Sequence, residues 1–456
     1  MEDNNIVESK GIYLPQDFSL KELAISTANG RKYELRQLLV ELSYYEDIYS
    51  FVISGHITLI DAQGLIETLN LTGNEYIDMI FSKDGNKKTE IKKSFRVYKS
   101  GPVIPSENLN SQVYTLYFCS EELVLSEQTK ISKSFKGKKI SEIIQNILTD
   151  KLKTNKRYKI EETWGMYDFV IPKFKPFEAI SWLSNYARPY EFGSAGGADM
   201  LFFETHEGFN FRSLQSIFAD DVSFTYTYAA ENVNKNLELL QKKFLNVLDY
   251  EISKPYDVLN GISSGTYANQ LITIDPLTRT SRVKNFDYSK YAQQKLNLAA
   301  PINSSKNRLG KTTFNSYESV VKLASGNSDQ QSVPYIKQQG GVAKDIFIET
   351  YVPNRTAQIS LANYTTIKAS VPGNPGIFAG SIIQFNLLTL KPSLNKKELD
   401  AHYSGKYLVS AVRHILDTGG TYQTILELSK DSSPKSYPNV DDNSITQKEI
   451  ITGNYN

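Results

Sequence analysis

Few residues of this chain could carry chemistry, and they do not form a working set. Histidines stand at His56, His206, His402 and His414, and no two share the spacing that would place paired imidazoles on one metal ion. His414 ends an apolar run and His206 sits in a turn, positions that suit structural or solvated rings. Glu161 and Glu162 lie near Trp164, a composition that evokes a glycosidase pair flanking a sugar. Neighbours on a strand point to opposite faces, however, so these two carboxylates have no common target there. Asp220-Asp221 and Asp441-Asp442 lack the alternating oxygen ligands and the glycine of a calcium loop, and read as solvated loop carboxylates. Cys119 is the lone cysteine, which excludes an internal disulfide and a cysteine-based zinc site. Its apolar setting, from Tyr114 onward, marks a buried structural thiol. The sequence has no phosphate loop ending in Gly-Lys-Ser or Gly-Lys-Thr, no Gly-x-Ser-x-Gly elbow and no His-Glu-x-x-His. No catalytic residue, cofactor or metal site is therefore expected, and the chain is not expected to be an enzyme.

Composition points the same way. The 456 residues exceed one ordinary core, so about two to four domains are expected. Net charge is +1, from 51 Lys plus Arg against 50 Asp plus Glu, which argues against a nucleic-acid polyanion as the main partner. Basic clusters at Lys87-Lys88 to Lys92-Lys93 and at Lys136 to Lys139 read as solvated loops. The 29 Tyr and 22 Phe suit half-buried pleated surfaces and interfaces. A host genome of low GC content would give the same enrichment. Met1-Glu-Asp-Asn-Asn lacks the basic start and apolar core of a signal peptide. No run approaches the ~20 apolar residues of a membrane span. A chain made and kept in a cytoplasm, without membrane insertion, is expected.

The elements that would position these residues are mostly strands. Residues 1 to about 35 are polar and weakly patterned. Short β-like runs then follow one another to Cys119, broken by turn signals such as Lys83-Asp84-Gly85-Asn86, as in an antiparallel sandwich or barrel. After Lys139 the period changes. Ser141 is a candidate cap for a helix carrying Ile140, Ile143, Ile144, Ile147, Leu148 and Leu152. A second helix starts at Pro176, carries Ile180, Leu183 and Ala187, and stops by Pro189. A hairpin runs from Met200–Glu204 to Phe209–Arg212, and Trp164, Trp182, Phe169, Phe174 and Phe177 fill this unit's core. Residues 237–250 are helix-compatible but also admit a strand, and Gly265–Asp275 with Thr280–Phe286 form a hairpin. Residues 287–335 form a polar excursion. At the C-terminal end, Tyr422, Thr424, Leu426 and Leu428 share one strand face, with Gln423, Ile425 and Glu427 on the other. A loose echo links Thr68–Phe81 with Ile367–Phe385, each placing a glycine turn before a strand that ends in Phe.

In order, Phe51 to Asp61 with Leu69 to Phe81, Phe135 to Leu148 with Phe174 to Ala187 and Leu201 to Phe211, Tyr256 to Asp275 with Asn285 to Tyr288, and Ser404 to His414 with its return strand form a recognisable series. Over about residues 38–431 the chain resembles the baseplate hub proteins of contractile-tailed bacteriophages. These are related in turn to phage late control proteins and to the amino-terminal hub domains of spike proteins in other contractile injection machines. The resemblance implies a mainly β fold of two tail-tube-like antiparallel β-barrels plus a small α+β domain. The implied divisions are 1–130, an N-terminal arm and first barrel; 131–225, the inserted α+β domain; 226–344, a connecting segment contributing strands to the second barrel and the polar excursion; 345–431, the second barrel; and 432–456, a flexible tail.

The resemblance also implies a homotrimer of pseudo-sixfold symmetry that joins a hexameric tail tube to a trimeric central spike and nucleates tube assembly. Its implied partners are itself, the spike, the tube protein or tube initiator, baseplate wedge or tape measure proteins, and DNA passing transiently through the lumen. The implied place is the virion tail baseplate, assembled in the host bacterial cytoplasm. Two other readings remain: the equivalent hub of a non-viral contractile injection system, and a tail-associated cell-wall hydrolase.

Overall fold

A computed structural model describes residues 18–27, 30–62, 64–69, 71–83, 90–105, 111–190, 198–228, 245–254, 257–275, 279–291, 297–299, 302, 321–325, 351–388, 399–400 and 402–432. The fold is mostly antiparallel strands. In the first part these are β1 (Ser19–Ser26), β2 (Lys32–Glu34), β3 (Leu39–Asp47), β4 (Ser54–Asp61), β5 (Tyr76–Ser82), β6 (Ile91–Ser100), β7 (Ile104–Pro105) and β8 (Gln112–Cys119). Period-2 burial runs along most of them. On β4, for example, Gly55, Ile57, Leu59 and Asp61 point in while Ser54, His56, Thr58 and Ile60 point out.

The middle part holds β9 (Ile131–Lys138), β10 (Tyr158–Ile160), β11 (Tyr167–Phe174), β12 (Met200–Thr205) and β13 (Gly208–Ser213). Strands β9 and β11 pair with each other, while β10, β13 and β12 form a separate sheet in that order. Two helices, Ile140–Asn146 and Pro176–Ser184, pack with these strands around one aromatic and aliphatic core. Trp164, Trp182 and Phe174 pack at its margin, and Phe169 and Phe177 lie inside it. The first helix begins one residue before Ser141, so Ser141 is not its cap. Its hydroxyl instead accepts from the Thr163 N–H at 3.3 Å. The second helix has Pro176 in its first turn, as expected, and ends at Ser184, so Ala187 is buried beyond it.

The remaining strands are β14 (Val222–Tyr228), β15 (Asp249–Lys254), β16 (Ala268–Asp275), β17 (Thr280–Asp287), β18 (Val321–Ser325), β19 (Thr365–Pro372), β20 (Ile382–Leu387), β21 (Gly405–Asp417) and β22 (Tyr422–Lys430). The expected β16–β17 hairpin forms, with β18 parallel to β16. Of the helix-compatible stretch 237–250, residues 237–244 lie outside the described residues, and the chain enters β15 at Asp249. Residues 84–86 of the Lys83–Asn86 turn, most of the 287–335 excursion, Asp441-Asp442 and the C-terminal tail past Ser432 also lie outside them.

One sheet of 14 strands, among the described residues, runs through both ends of the chain: β15-β19-β22-β21-β3-β4-β8-β6-β5-β1-β2, with β20 and then β14 branching from β21, and β7 on β8. It curls twice. Tyr422 on β22 and Phe81 on β5 are six strands apart in that order, about 29 Å on a flat sheet, yet their rings meet at 5.9 Å. The inward side chains of β1, β3, β4, β5, β6 and β8 accordingly share one apolar core. At the other end, β14 returns to the segment just before β15. The Thr227 N–H donates to the Leu245 carbonyl and the Val247 N–H to the Thr227 carbonyl, each at 3.0 Å. The rings of Tyr228 and Tyr250 meet across that seam at 4.7 Å. A second apolar core lies inside this curl.

Strand β21 joins the two curls. Its start, from Gly405 to Leu408, pairs with β20, and its end, from Ala411 to Asp417, pairs with β3. Between them Ser410 is an extra residue opposite β22, where Val409 faces Leu428 and Ala411 faces Glu427. Such a bulge bends a strand and raises its twist, and here it sits where the neighbouring strand changes. The β21–β22 hairpin therefore serves both cores: Leu416 and Tyr422 fill the first, and Val409, Val412, Leu426 and Leu428 the second. Gly373 makes room for the Tyr422 ring, because a Cβ there would lie 2.1 Å from it.

Several elements depart from the sequence reading. The arm within residues 1–35 contributes β1 and β2 to the sheet. A bulge between Leu20 and Glu22 breaks the alternation that would have disclosed β1. Leu65–Leu69 is a short helix inside a β-like run. Helices Glu121–Gln128 and Val352–Ala362 had no counterpart in the expected pattern, the second lying within the β-rich stretch 345–431.

Candidate functional site

The polar residues with the greatest structural consequence are buried where the first curl, the middle unit and the second curl meet. On β3 the inward positions are Leu42, Tyr44 and Glu46, so alternation drives a carboxylate into the interior. Glu46 is 1% exposed. It accepts from the Tyr44 hydroxyl at 2.8 Å, from the His206 N–H at 2.7 Å and from the Ala379 N–H at 3.1 Å. One side chain of the first curl thus holds the β12–β13 turn and the loop before β20. Burial pushes the Glu46 carboxyl up, but its contacts with His206, the nearby His414 and the Tyr44 hydroxyl outweigh this and hold it below the usual range.

A second carboxylate pair lies alongside. Buried Glu204 on β12 accepts from the Ile53 N–H at 3.1 Å and from Lys156 at 2.7 Å. Lys156 also reaches Glu122 at 2.6 Å. Burial raises Glu204, while burial of Lys156 is more than offset by its two carboxylates, so its ammonium is held above the usual value. The middle unit is thereby fixed to the first curl by charge as well as by apolar packing.

A third junction ties the middle unit to helix Val352–Ala362. Asp199 accepts from Gln358 at 2.6 Å and from the Gln215 N–H at 3.2 Å through a single oxygen, Oδ2. Its other oxygen is buried without a hydrogen bond. Burial pushes this carboxyl up to about 7.

The residues singled out from sequence are scattered. His414 is buried on β21, its Nδ1 2.9 Å from the Tyr422 hydroxyl, and burial brings it down to about 4. His206 offers its backbone to Glu46, and its ring meets Phe378 edge-on at 5.3 Å. His56 faces outward between Tyr45 and Tyr117, and exposed His402 lies in the turn before β21. Glu161 accepts from the Ser213 N–H at 2.8 Å while Glu162 pairs with Lys139, so the two carboxylates do have separate partners. Asp220 is bridged by Arg212. Cys119 is buried, and burial raises its thiol to about 11, far from a reactive thiolate.

The described lysines of both basic clusters depart from the solvated-loop reading, and Lys87-Lys88 lie outside the described residues. Lys138 pairs with Glu142 at 3.1 Å and Lys139 with Glu162. In the other cluster Lys93 is partly buried on β6. Glu46, Glu122, Lys156, Asp199 and Glu204 were not anticipated. For Glu46 the signal was present, in a charge two residues beyond Leu42 and Tyr44 on the same face. Among the described residues no group of three or more His, Cys, Asp or Glu could hold a metal ion, and no helix is long and apolar enough to cross a membrane. What the arrangement does is hold three parts of one chain in fixed relation.

No family model matches the chain. It is 25% identical over 408 residues to the "Probable baseplate hub protein gp334" of Vibrio phage KVP40, covering 87% of this chain and 90% of that protein. In fold it is similar to a tail protein from Neisseria meningitidis, with a TM-score of 0.52 and 10% identity, over 92% of this chain and 100% of the other. The tail protein of prophage MuSo2 from Shewanella oneidensis gives a TM-score of 0.51 and 7% identity, over 90% and 98%. The similarity to a probable baseplate hub protein thus extends along most of the chain in sequence, and the fold is similar to that of two tail proteins.

Proposed function

We propose that this chain is the structural hub of a contractile tail baseplate, acting as a homotrimer and not as an enzyme. The observation that carries the proposal is the pair of curls in one sheet, joined through β21, in a chain similar to a baseplate hub protein over most of its length. Two such curls per chain make six per trimer. A ring of that kind matches a hexameric tube on one side and a trimeric spike on the other. The bulge at Ser410 and the Glu46 junction set the angle between the curls, and that angle decides whether three chains close into a ring.

In this reading the partners are two further copies, the central spike, the tube protein or its initiator, and baseplate wedge or tape measure proteins. The hub starts tube polymerisation, and DNA passes transiently through its lumen. It resides in the virion tail baseplate and assembles in the host bacterial cytoplasm. A hub of a non-viral contractile injection system would use the same geometry, and the neighbouring genes distinguish the two.

Light scattering on the purified chain, alone and with the spike protein encoded beside it, tests the proposal. The expected result is three chain masses, alone or on adding the spike. A strict monomer that ignores both spike and tube protein overturns it, as does clear lysis of peptidoglycan by the purified chain in a zymogram.

A further inference from the structure

Above the buried junction lies an open cleft of about 910 Å3 to which all three parts contribute. The first curl supplies Glu90 to Lys93, the middle unit supplies 156–159 and 206–210, and the loop before β20 supplies Pro375, Gly376 and Phe378. Its charge is one-sided. Five cations line it, Lys92, Lys93, Lys156, Arg157 and Lys159, against Glu90 and Glu207. Glu90 is already paired with Lys21, and Lys156 is committed to Glu122 and Glu204. Among the described residues no ion pair engages Lys92, Lys93, Arg157 or Lys159. Lys93 is the most costly of these, since burial lowers its ammonium pKa further than the nearby carboxylates of Glu204, Glu46 and Glu122 restore it. In a chain of net charge +1 this concentration is local.

The backbone is built to bring these cations together. Gly208 has φ +137°, and a Cβ there would lie 2.1 Å from the Arg157 carbonyl oxygen. Only glycine lets the β12–β13 turn close onto Arg157, the residue just before β10, which carries Lys159. The parallel pairing of β10 with β13 then fixes their direction.

We propose that this cleft is a docking site for an acidic peptide segment of a neighbouring protein, its carboxylates held by Lys92, Lys93, Arg157 and Lys159. Size and composition favour a peptide over a nucleic acid. A cleft of this volume is at the upper end of the range for small ligands and admits a few residues of chain, whereas a duplex is far wider. Its cations are lysines but for one, while phosphate and base recognition draw on arginine forks and presented aromatic faces. Phe209 lies 1% exposed in the floor, and of the lining aromatics Tyr158 alone is exposed, so no row of faces is offered to successive bases. The site is independent of the hub reading, since it can be measured on the chain alone.

The probe is a fluorescein-labelled hexaglutamate peptide, titrated by anisotropy at low ionic strength. Saturable binding is expected, and Lys92→Glu with Lys159→Glu should raise Kd about tenfold or more. Lys368→Glu, on an exposed lysine of β19 outside the cleft, should leave it within about twofold. Both cleft lysines are exposed, and a thermal melt checks that the variant is folded. Should it not fold, Lys92→Gln with Lys159→Gln carries the same test. The proposal is overturned by absence of saturable binding to the unaltered chain, by equal losses in the Lys368→Glu variant, or by tighter binding of labelled oligothymidine.

Discussion

Glu46 and Asp199 are both buried carboxylates that tie the middle unit to another part of the chain, yet their surroundings give them opposite characters. Glu46 draws donors from its own strand, from the middle unit and from the second curl, and it stays charged. Asp199 receives two donors on one oxygen and leaves the other bare, so its carboxyl titrates near 7. The difference teaches that burial alone does not decide charge in this protein: the His206 and His414 rings and the Tyr44 hydroxyl hold Glu46 down, while the hydrogen bonds to Asp199 do not offset its burial. One junction is a permanent rivet, and the other changes charge near neutral pH.

The largest test of that contrast is Glu46→Ala. It leaves the His206 and Ala379 N–H groups and the Tyr44 hydroxyl buried without a partner, at an expected cost of about 3–5 kcal/mol. Guanidinium denaturation of both variants reads this out, and an equal cost from Asp199→Ala would erase the distinction.

The next is the pH profile. His414 is held at about 4 when folded, below the ~6.5 of an exposed imidazole. Its contribution is therefore whole above about pH 6.5 and is lost as pH falls toward 4, by about 3 kcal/mol in all. Asp199 has the reverse sign. Its folded value of about 7 lies above the ~3.9 of an exposed aspartate, so its contribution is whole below about pH 4 and fades as pH rises through 7. The two slopes oppose each other and nearly cancel between about pH 4 and 6.5. Removing the Asp199 limb with Asp199→Asn should therefore uncover a fall in melting temperature below about pH 6.5, and a variant that stays flat there would contradict the His414 assignment.

The smallest expected effect isolates the second limb. Asp199→Asn keeps an acceptor for Gln358 and the Gln215 N–H but cannot ionise. It should change stability by less than about 1 kcal/mol near pH 4 and be stabilising near pH 8. If the variant gains nothing over the parent chain between about pH 4 and 8, Asp199 does not carry that limb.

Much of the fold was legible because alternation is local. The faces of β22 could be read residue by residue, and Tyr422, Thr424, Leu426 and Leu428 are all buried as the spacing requires. The echo between Thr68–Phe81 and Ile367–Phe385 is also physical to this extent: Phe81 and Phe385 are both fully buried, one in each curl's core. Strand β1 was hidden because its bulge interrupts the period. The buried charges were hidden because a glutamate on a strand carries no mark of what it will meet.

By itself, then, the sequence determined a mainly β chain, the helices and hairpin of its middle unit, and the inward faces of strands such as β22. These follow from turn chemistry and from periods of a few residues. Only the tertiary structure decided that β21 changes neighbours at Ser410 and that Glu46 finds donors 160 and 333 residues away. The physical reason is that a side chain's face is set by its immediate neighbours in sequence, whereas its hydrogen-bond partners are set by how the whole sheet curls.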